Sequence, residues 1–119
     1  MKRLLLIVLP LLLIVGCSKP ISEETLINED GLKYHPDTKE LYSGKVFKNH
    51  LGGGKEFEGS YKDGKKDGLF TSWDKNGQKD KEENYKNGEY DGLVTRWHSN
   101  GQKWYEKTFK DGTRDGLYI

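Results

Sequence analysis

The stretch from Gly59 to Lys66 has the glycine spacing of a phosphate-binding loop. Such a loop holds phosphate oxygens with backbone N–H groups and a lysine, and its last residue, Ser or Thr, holds magnesium. Lys66 occupies that last position here, and a strand rather than the required helix is expected to follow. We therefore expect this stretch to be the turn of a repeat and not a phosphate site.

Three further stretches, at 63–68, 87–92 and 111–116, each contain an acid or amide, then an acid, then a glycine, in the order of a calcium-binding loop. A calcium loop also needs an oxygen ligand at its third position and a bidentate Glu at its twelfth. Lys65 fills the third position of the first stretch, and Asp74 fills the twelfth. Because turns alone select Asp, Asn and Gly, we expect turns here, with no bound metal and no cofactor.

The histidines, His35, His50 and His98, are scattered along the chain. None of them lies at a metal-ligand spacing from another histidine or from a cysteine. The sequence also offers no arrangement of nucleophile, base and acid that supports nucleophilic catalysis. We therefore expect no catalytic residues and a protein that is not an enzyme.

Cys17 is the only cysteine, and it follows a segment of distinct composition. Lys2 and Arg3 precede a twelve-residue apolar run from Leu4 to Val15 that is interrupted only by Pro10. This order is typical of a signal peptide, and the run is shorter than the roughly 20 residues that span a membrane. We expect residues 1–16 to be a signal peptide that is cleaved before Cys17.

The end of that run, Ile14-Val15-Gly16-Cys17, resembles the lipobox of bacterial lipoproteins. The resemblance implies that Cys17 becomes the new N-terminus and carries acyl chains of the palmitate type. Several acyl chains anchor a protein stably, whereas one chain binds a membrane only marginally. The implied location is the bacterial cell envelope. Ser18 after the cysteine implies the periplasmic face of the outer membrane in a two-membrane bacterium.

Residues 17–30 look like a solvated, lipidated tether, because Pro20 and four acids leave only three apolar side chains between 18 and 30. Thirteen extended residues would reach on the order of 40 Å. We therefore expect a domain that begins near Gly31 and is held clear of the lipid headgroups.

The composition of the mature chain excludes one class of partner and favours one kind of core. Loss of Lys2 and Arg3 changes the formal charge from +1 to −1, which lacks the basic excess typical of nucleic-acid-binding proteins. Fourteen hydrophobic residues are Phe, Tyr or Trp, and alanine is missing. Such a chain predicts a sheet covered by aromatic rings rather than a helical core.

The chain repeats itself with a period of 24 residues. Asp-Gly-Leu recurs at 67–69, 91–93 and 115–117, and Asn-Gly-Gln-Lys recurs at 76–79 and 100–103. A weaker copy extends back to about Tyr42, with Gly44 equivalent to Gly68. A fixed period of this length indicates stacked supersecondary units.

Each repeat is predicted to be one hairpin followed by a linking turn. The β-rich runs 69–73 and 93–97 lead into Asn-Gly, which is a strong hairpin signal between such runs. We expect positive φ at these turns and at the linking turns, because Asn tolerates it and Gly adopts it freely. The turns are Asn76-Gly77, Asn100-Gly101, Asp63-Gly64, Asn87-Gly88 and Asp111-Gly112.

These residues resemble the bacterial variant of the MORN repeat, with its turn glycines, Gly-Leu/Trp strand and Asn-Gly hairpin. The resemblance implies an all-β fold, an elongated antiparallel β-meander of repeated hairpins, over residues 31–119. The repeats would lie at about 37–60, 61–84 and 85–108, with a partial repeat at 109–119. Many secreted members are described as YwqK-type antitoxin-like proteins, so the resemblance implies a protein partner such as a toxin.

Aromatic columns are the first candidates for partner binding. Alternation predicts that Leu69, Thr71 and Trp73 share one face of the sheet, which the next repeat continues as a ladder. We favour packing between hairpins for these rings, although a single-layer sheet cannot hide both of its faces. Some rings therefore remain candidates for a protein interface. The columns contain Trp73, Trp97 and Trp104, with Tyr61, Tyr85 and Phe109 in register.

The second candidate is the C-terminal strand, Leu117-Tyr118-Ile119, which begins a repeat without the strand that would follow it. It has neither charge nor proline to protect its edge, so we expect a partner strand or a second copy to dock there. A short cap on the preceding hairpin is the other interpretation. The sequence therefore predicts an anchored protein-binding module. The alternatives are a structural envelope module on peptidoglycan or lipid headgroups and, more remotely, a cell-wall hydrolase.

Overall fold

The structure is a computed structural model that describes residues 19–118, with side chains as far as Arg114. The described chain is nearly all β, with one short 3₁₀ turn at Glu23–Thr25. The strands are β1 Ile21–Ser22, β2 Ile27–Glu29, β3 Leu32–Tyr34, β4 Gly44–Asn49, β5 Lys55–Lys62, β6 Lys65–Lys66, β7 Gly68–Trp73, β8 Lys79–Lys86, β9 Glu89–Trp97, β10 Lys103–Lys110 and β11 Thr113–Tyr118.

Within the described residues, one sheet runs in the order β1-β4-β5-β7-β8-β9-β10-β11, and β6 pairs with β5 beside this path. All of its pairs are antiparallel except β1 with β4, which is parallel. β2 and β3 form a separate hairpin. The predicted all-β class and the mostly antiparallel sheet of hairpins are confirmed.

The period of 24 residues is visible in the strand pairing. The same glycine-to-aromatic pair closes three successive hairpins: Gly44 faces Tyr61, Gly68 faces Tyr85, and Gly92 faces Phe109. Register shifts also recur at equivalent places, where Glu56, Asp80 and Trp104 are bulged residues. A β-bulge opposes two residues to one and redirects a side chain. The sequence repeat is therefore a structural repeat.

The two sets of turns have different geometry. The linking turns have positive φ at both central residues, for example 52° at Asn87 and 84° at Gly88, as type I′ turns do. At the other end of the sheet only the glycine is left-handed, with φ of 84° at Gly77 and 91° at Gly101. The expected positive φ is therefore confirmed for the glycines and wrong for Asn76 and Asn100, because a three-residue loop needs it at its last position only.

The hydrophobic core lies on one face of the sheet, which we call the covered face. Val46, Tyr61 and Phe70 point to it from β4, β5 and β7, and Leu26 and Tyr42 pack over them. The register places Glu58, Thr71 and Glu82 on the opposite face, which we call the exposed face, although Thr71 itself is buried among its neighbours there. Leu69 and Leu93 lie on that face and remain 48% and 43% exposed. The predicted leucine ladder therefore faces away from the core.

The segment expected to be a solvated tether is part of the fold from Ile21 onward. Ile21 pairs with Val46 in β1, and Leu26 is only 8% exposed in the core. Glu23 accepts a hydrogen bond from the Tyr61 hydroxyl at 3.3 Å and pairs with Lys33 at 3.3 Å. The tether prediction was wrong for Ile21 and Leu26, because strands far away in sequence bury Leu26 and partly bury Ile21. The folded domain begins near residue 21 rather than 31.

Candidate partner-binding surfaces

A continuous column of aromatic rings crosses the covered face from β5 to β10. Ring centroids lie 6.0 Å apart for Tyr61 and Phe70, 5.4 Å for Phe70 and Tyr85, 5.1 Å for Tyr85 and Tyr90, and 4.9 Å for Tyr90 and Phe109. Such cross-strand pairs stabilise a sheet. Tyr61, Tyr85 and Phe109 are therefore in register as predicted, and the residues between them supply the contacts.

A buried carboxylate lies beside this column. Glu83 is 5% exposed and accepts hydrogen bonds from the hydroxyls of Tyr85 at 3.0 Å and Tyr90 at 2.5 Å. Lys81 lies 3.7 Å from the same carboxylate. Burial raises the pKa of both tyrosines, and the Glu83 charge raises each further. Since buried charges are tolerated only when paired, this cluster is an internal brace between β8 and β9.

Lys66 covers the column at its centre. Its ammonium group lies 4.9 Å from the ring centroid of Phe70 and 4.8 Å from that of Tyr85, within the range of cation–π contacts. Burial lowers the pKa of Lys66, and the nearby Glu83 charge acts in the opposite direction. The eighth position of the phosphate-loop pattern is therefore occupied by a lysine that packs on aromatic rings.

The exposed face carries the same polar arrangement in successive repeats. Lys55 pairs with Glu58 at 2.7 Å, Lys79 with Glu82 at 2.9 Å, and Lys103 with Glu106 at 3.4 Å. Two of these lysines also lie over tryptophans, Lys55 over Trp73 at 5.8 Å and Lys79 over Trp97 at 5.7 Å. Both tryptophans are half-buried. Trp73 and Trp97 are therefore held by their own neighbours, which supports the packing interpretation for these two rings.

Trp104 differs from the other two tryptophans, because it is 57% exposed. Its ring stacks on His98 with a centroid distance of 5.4 Å and meets Tyr105 edge-on at 5.4 Å. Regular alternation would send residues 104 and 105 to opposite faces, and the bulge after Lys103 brings their rings together. The set of Trp104, His98 and Tyr105, which we call the Trp104 cluster, is therefore a group of contacting rings in which Trp104 and His98 are exposed and Tyr105 is half-buried.

The structure does not bring the three predicted tryptophans together. Trp73 and Trp97 lie on strands β7 and β9, under lysines, whereas the ring of Trp104 lies in its own cluster. The sequence pattern did not indicate His98 and Tyr105 as neighbours of Trp104. The available signal was the break in the repeat, since Glu56 and Asp80 occupy the two positions equivalent to Trp104.

A cavity of about 480 Å³ on the covered face is lined by four carboxylates among other residues, Glu56, Asp74, Asp80 and Glu83. Glu83 is committed to the tyrosines, and Glu56 lies 3.6 Å from Lys48. The Oδ1 atom of Asp80 is buried without a hydrogen-bond partner in the described part of the chain. The described residues contain no group of three His, Cys, Asp or Glu side chains arranged to hold a metal ion.

Strand β11 lies at one end of the described sheet and pairs with β10 on one side. Backbone groups on its other side therefore form a sheet edge, as the second candidate site requires. The side chains of Leu117 and Tyr118 and all of Ile119 lie outside what the structure describes, and so do Cys17 and the predicted signal peptide. No helix within residues 19–118 is long and apolar enough to cross a membrane.

Comparisons with known proteins give no assignment. The chain matches no family, no curated protein and no solved structure.

Proposed function

We propose that this chain is a lipid-anchored envelope protein that binds a partner protein through the Trp104 cluster. The observation that carries the proposal is the exposure of Trp104 beside two flanking rings, because tryptophan and tyrosine side chains are enriched in protein-binding hot spots. Trp73 and Trp97, which are covered by lysines, contribute little to binding under this proposal.

The anchor in this proposal is Cys17, acylated after cleavage of residues 1–16. Its support is the order of charge, apolar run, small residue and cysteine at the N-terminus. The location would be the bacterial cell envelope, on the periplasmic face of the outer membrane in a two-membrane bacterium.

The partner in this proposal is a toxin-like protein, and the chain acts as an antitoxin or immunity protein. Its support is the resemblance of the hairpin repeats to MORN-variant, YwqK-type sequences, together with the recurring register of the hairpins. The edge of β11 that no described strand covers would provide a second contact for a partner strand or for a homodimer.

Chemical cross-linking in intact cells, followed by purification of the full-length chain in detergent, tests the proposal. We expect a cross-linked protein with the wild type and its loss with Trp104→Ala. Leu51→Ala is the matched control, because Leu51 is fully exposed at the tip of another loop. Equal cross-linking of Trp104→Ala and wild type would exclude the Trp104 cluster as the binding surface.

A further inference from the structure

The distance between the proposed anchor and the sheet is short. Since β1 begins at Ile21, only residues 18–20 separate it from Cys17. Four extended residue steps reach at most about 14 Å. An acylated Cys17 therefore holds one edge of the sheet beside the headgroups, and some surface near β1 must face the bilayer.

A groove of about 620 Å³ lies at that place. It runs along the exposed face over β4, β5 and β7, and Lys19 and Pro20 form the side from which the chain enters. Its remaining walls include Lys45, Lys55, Phe47 and Leu69. Basic side chains therefore stand next to partly exposed apolar ones, which is the composition of surfaces that lie in a membrane interface.

The charge of the groove is positive. Lys55 is paired with Glu58, whereas Lys19 and Lys45 are exposed and form no ion pair with any residue from 19 to 114. Position 45 is equivalent to positions 69, 93 and 117 in the repeat, and all three of those are leucines. The repeat nearest the proposed anchor thus carries a lysine where the other copies carry an apolar residue.

We propose that this groove docks the anionic headgroups of the membrane that holds Cys17. The lysines contact headgroup phosphates, since basic residues close to an anionic leaflet are attracted to it, and Phe47 and Leu69 lie against the interface. This inference rests on the proposed lipid anchor. It gives the protein a fixed orientation, because the Trp104 cluster lies on the β9–β10 hairpin, several strands away from the docked edge.

Lysine labelling with a water-soluble acylating reagent tests this orientation. The lipidated full-length protein is labelled in detergent, in vesicles of neutral phosphatidylcholine and in vesicles that also contain anionic phosphatidylglycerol. We expect labelling of Lys45 and Lys55 to fall by about fivefold in the anionic vesicles. Lys79 and Lys103 are matched controls, because each also pairs with the glutamate three residues later, and their labelling should not change.

Charge-reversal variants extend the test. Lys45→Glu should restore labelling of Lys55 in anionic vesicles, whereas Lys79→Glu should leave the protection of Lys55 intact. Protection of equal size in neutral vesicles would overturn the role of anionic headgroups. Protection that requires an added protein fraction would assign the groove to a protein instead and would also overturn the proposal.

The mass of the intact protein distinguishes failure of the proposed lipid anchor from failure of headgroup docking. A protein without acyl chains would remove the proposed anchor and, with it, this inference. An acylated protein whose Lys45 and Lys55 are labelled equally in detergent and in anionic vesicles would overturn headgroup docking and leave the anchor standing.

Discussion

The hydroxyl of Tyr90 donates a hydrogen bond to Oε2 of Glu83 at 2.5 Å, across the β8–β9 pair. Tyr85 donates to the other carboxylate oxygen, Oε1, at 3.0 Å. Both phenol protons are therefore committed to one buried charge, and loss of either proton would place a second negative charge next to it.

This arrangement predicts loss of stability in alkali. Burial, with the hydrogen bond to Glu83 and its charge, raises the pKa of Tyr90 to about 12. The pKa of Tyr90 is higher in the folded protein than in the unfolded chain, so the protonated phenol stabilises the folded state. This stabilisation is complete below about pH 10 and is lost as the pH rises towards 12. Urea unfolding between pH 8 and 11 should show this decline, and Tyr90→Phe should weaken it. A pH-independent midpoint would contradict the assignment.

Replacement by the amide should destabilise the protein at one acid of β8 and not at another. Glu83→Gln leaves two phenols and Lys81 facing a neutral group, and we expect a loss of about 2 kcal/mol in the free energy of unfolding. Asp80→Asn removes a charge whose Oδ1 has no partner among the described residues, so stability should not fall. Chemical denaturation measures both. A larger loss for Asp80→Asn than for Glu83→Gln would contradict the structure.

The class of the fold could be predicted because the same hairpin pattern recurs several times in the sequence. The positions of glycine and Asn-Gly predicted the hairpins, and the linking turn with positive φ at Asn87 and Gly88 lies where the sequence predicts it. The N-terminal segment could not be predicted in this way. Ile21 and Leu26 gain their burial from Val46 and the rings of β5 and β7, and local composition gives no sign of such distant contacts.

A matched pair of substitutions tests that correction. Leu26 is buried in the core, whereas its neighbour Ile27 is 37% exposed. Leu26→Ala should cost about 2–4 kcal/mol in unfolding free energy through lost apolar burial and a residual cavity. Ile27→Ala should cost less than half of that. Equal, small effects in thermal or urea unfolding would support a solvated tether after all.

The three-residue hairpin loops depend on their glycines. Gly77 has φ of 84°, and no atom lies within 4 Å of an added Cβ, so only backbone strain opposes a larger residue. Gly77→Val should therefore cost more than about 1 kcal/mol, and Gly77→Asn less. Gly52→Val is the control, because Gly52 is not left-handed and also has open space around it. Circular dichroism should show strand in every variant, and equal stability of the two valine variants would contradict the loop geometry.

The candidate site was only partly predictable. The sequence indicated Trp104 as a candidate but grouped it with Trp73 and Trp97. Alternation assigns side chains to faces correctly only where the strand pairing is regular. The bulge after Lys103 interrupts the regular pairing, and the ring of Trp104 contacts His98 and Tyr105 instead. A register shift depends on how two strands pair, so the sequence of either strand alone gives little indication of it.

The most direct test of the account is photo-cross-linking from two positions of the full-length protein in intact cells. A photoreactive phenylalanine analogue replaces Trp104 in one variant and Leu69, in the groove beside Lys19 and Lys45, in the other. We predict a protein adduct from position 104 and a lipid adduct from position 69. A lipid adduct from position 104 would contradict partner binding by the Trp104 cluster. A protein adduct that forms from position 69 and not from position 104 would contradict it as well.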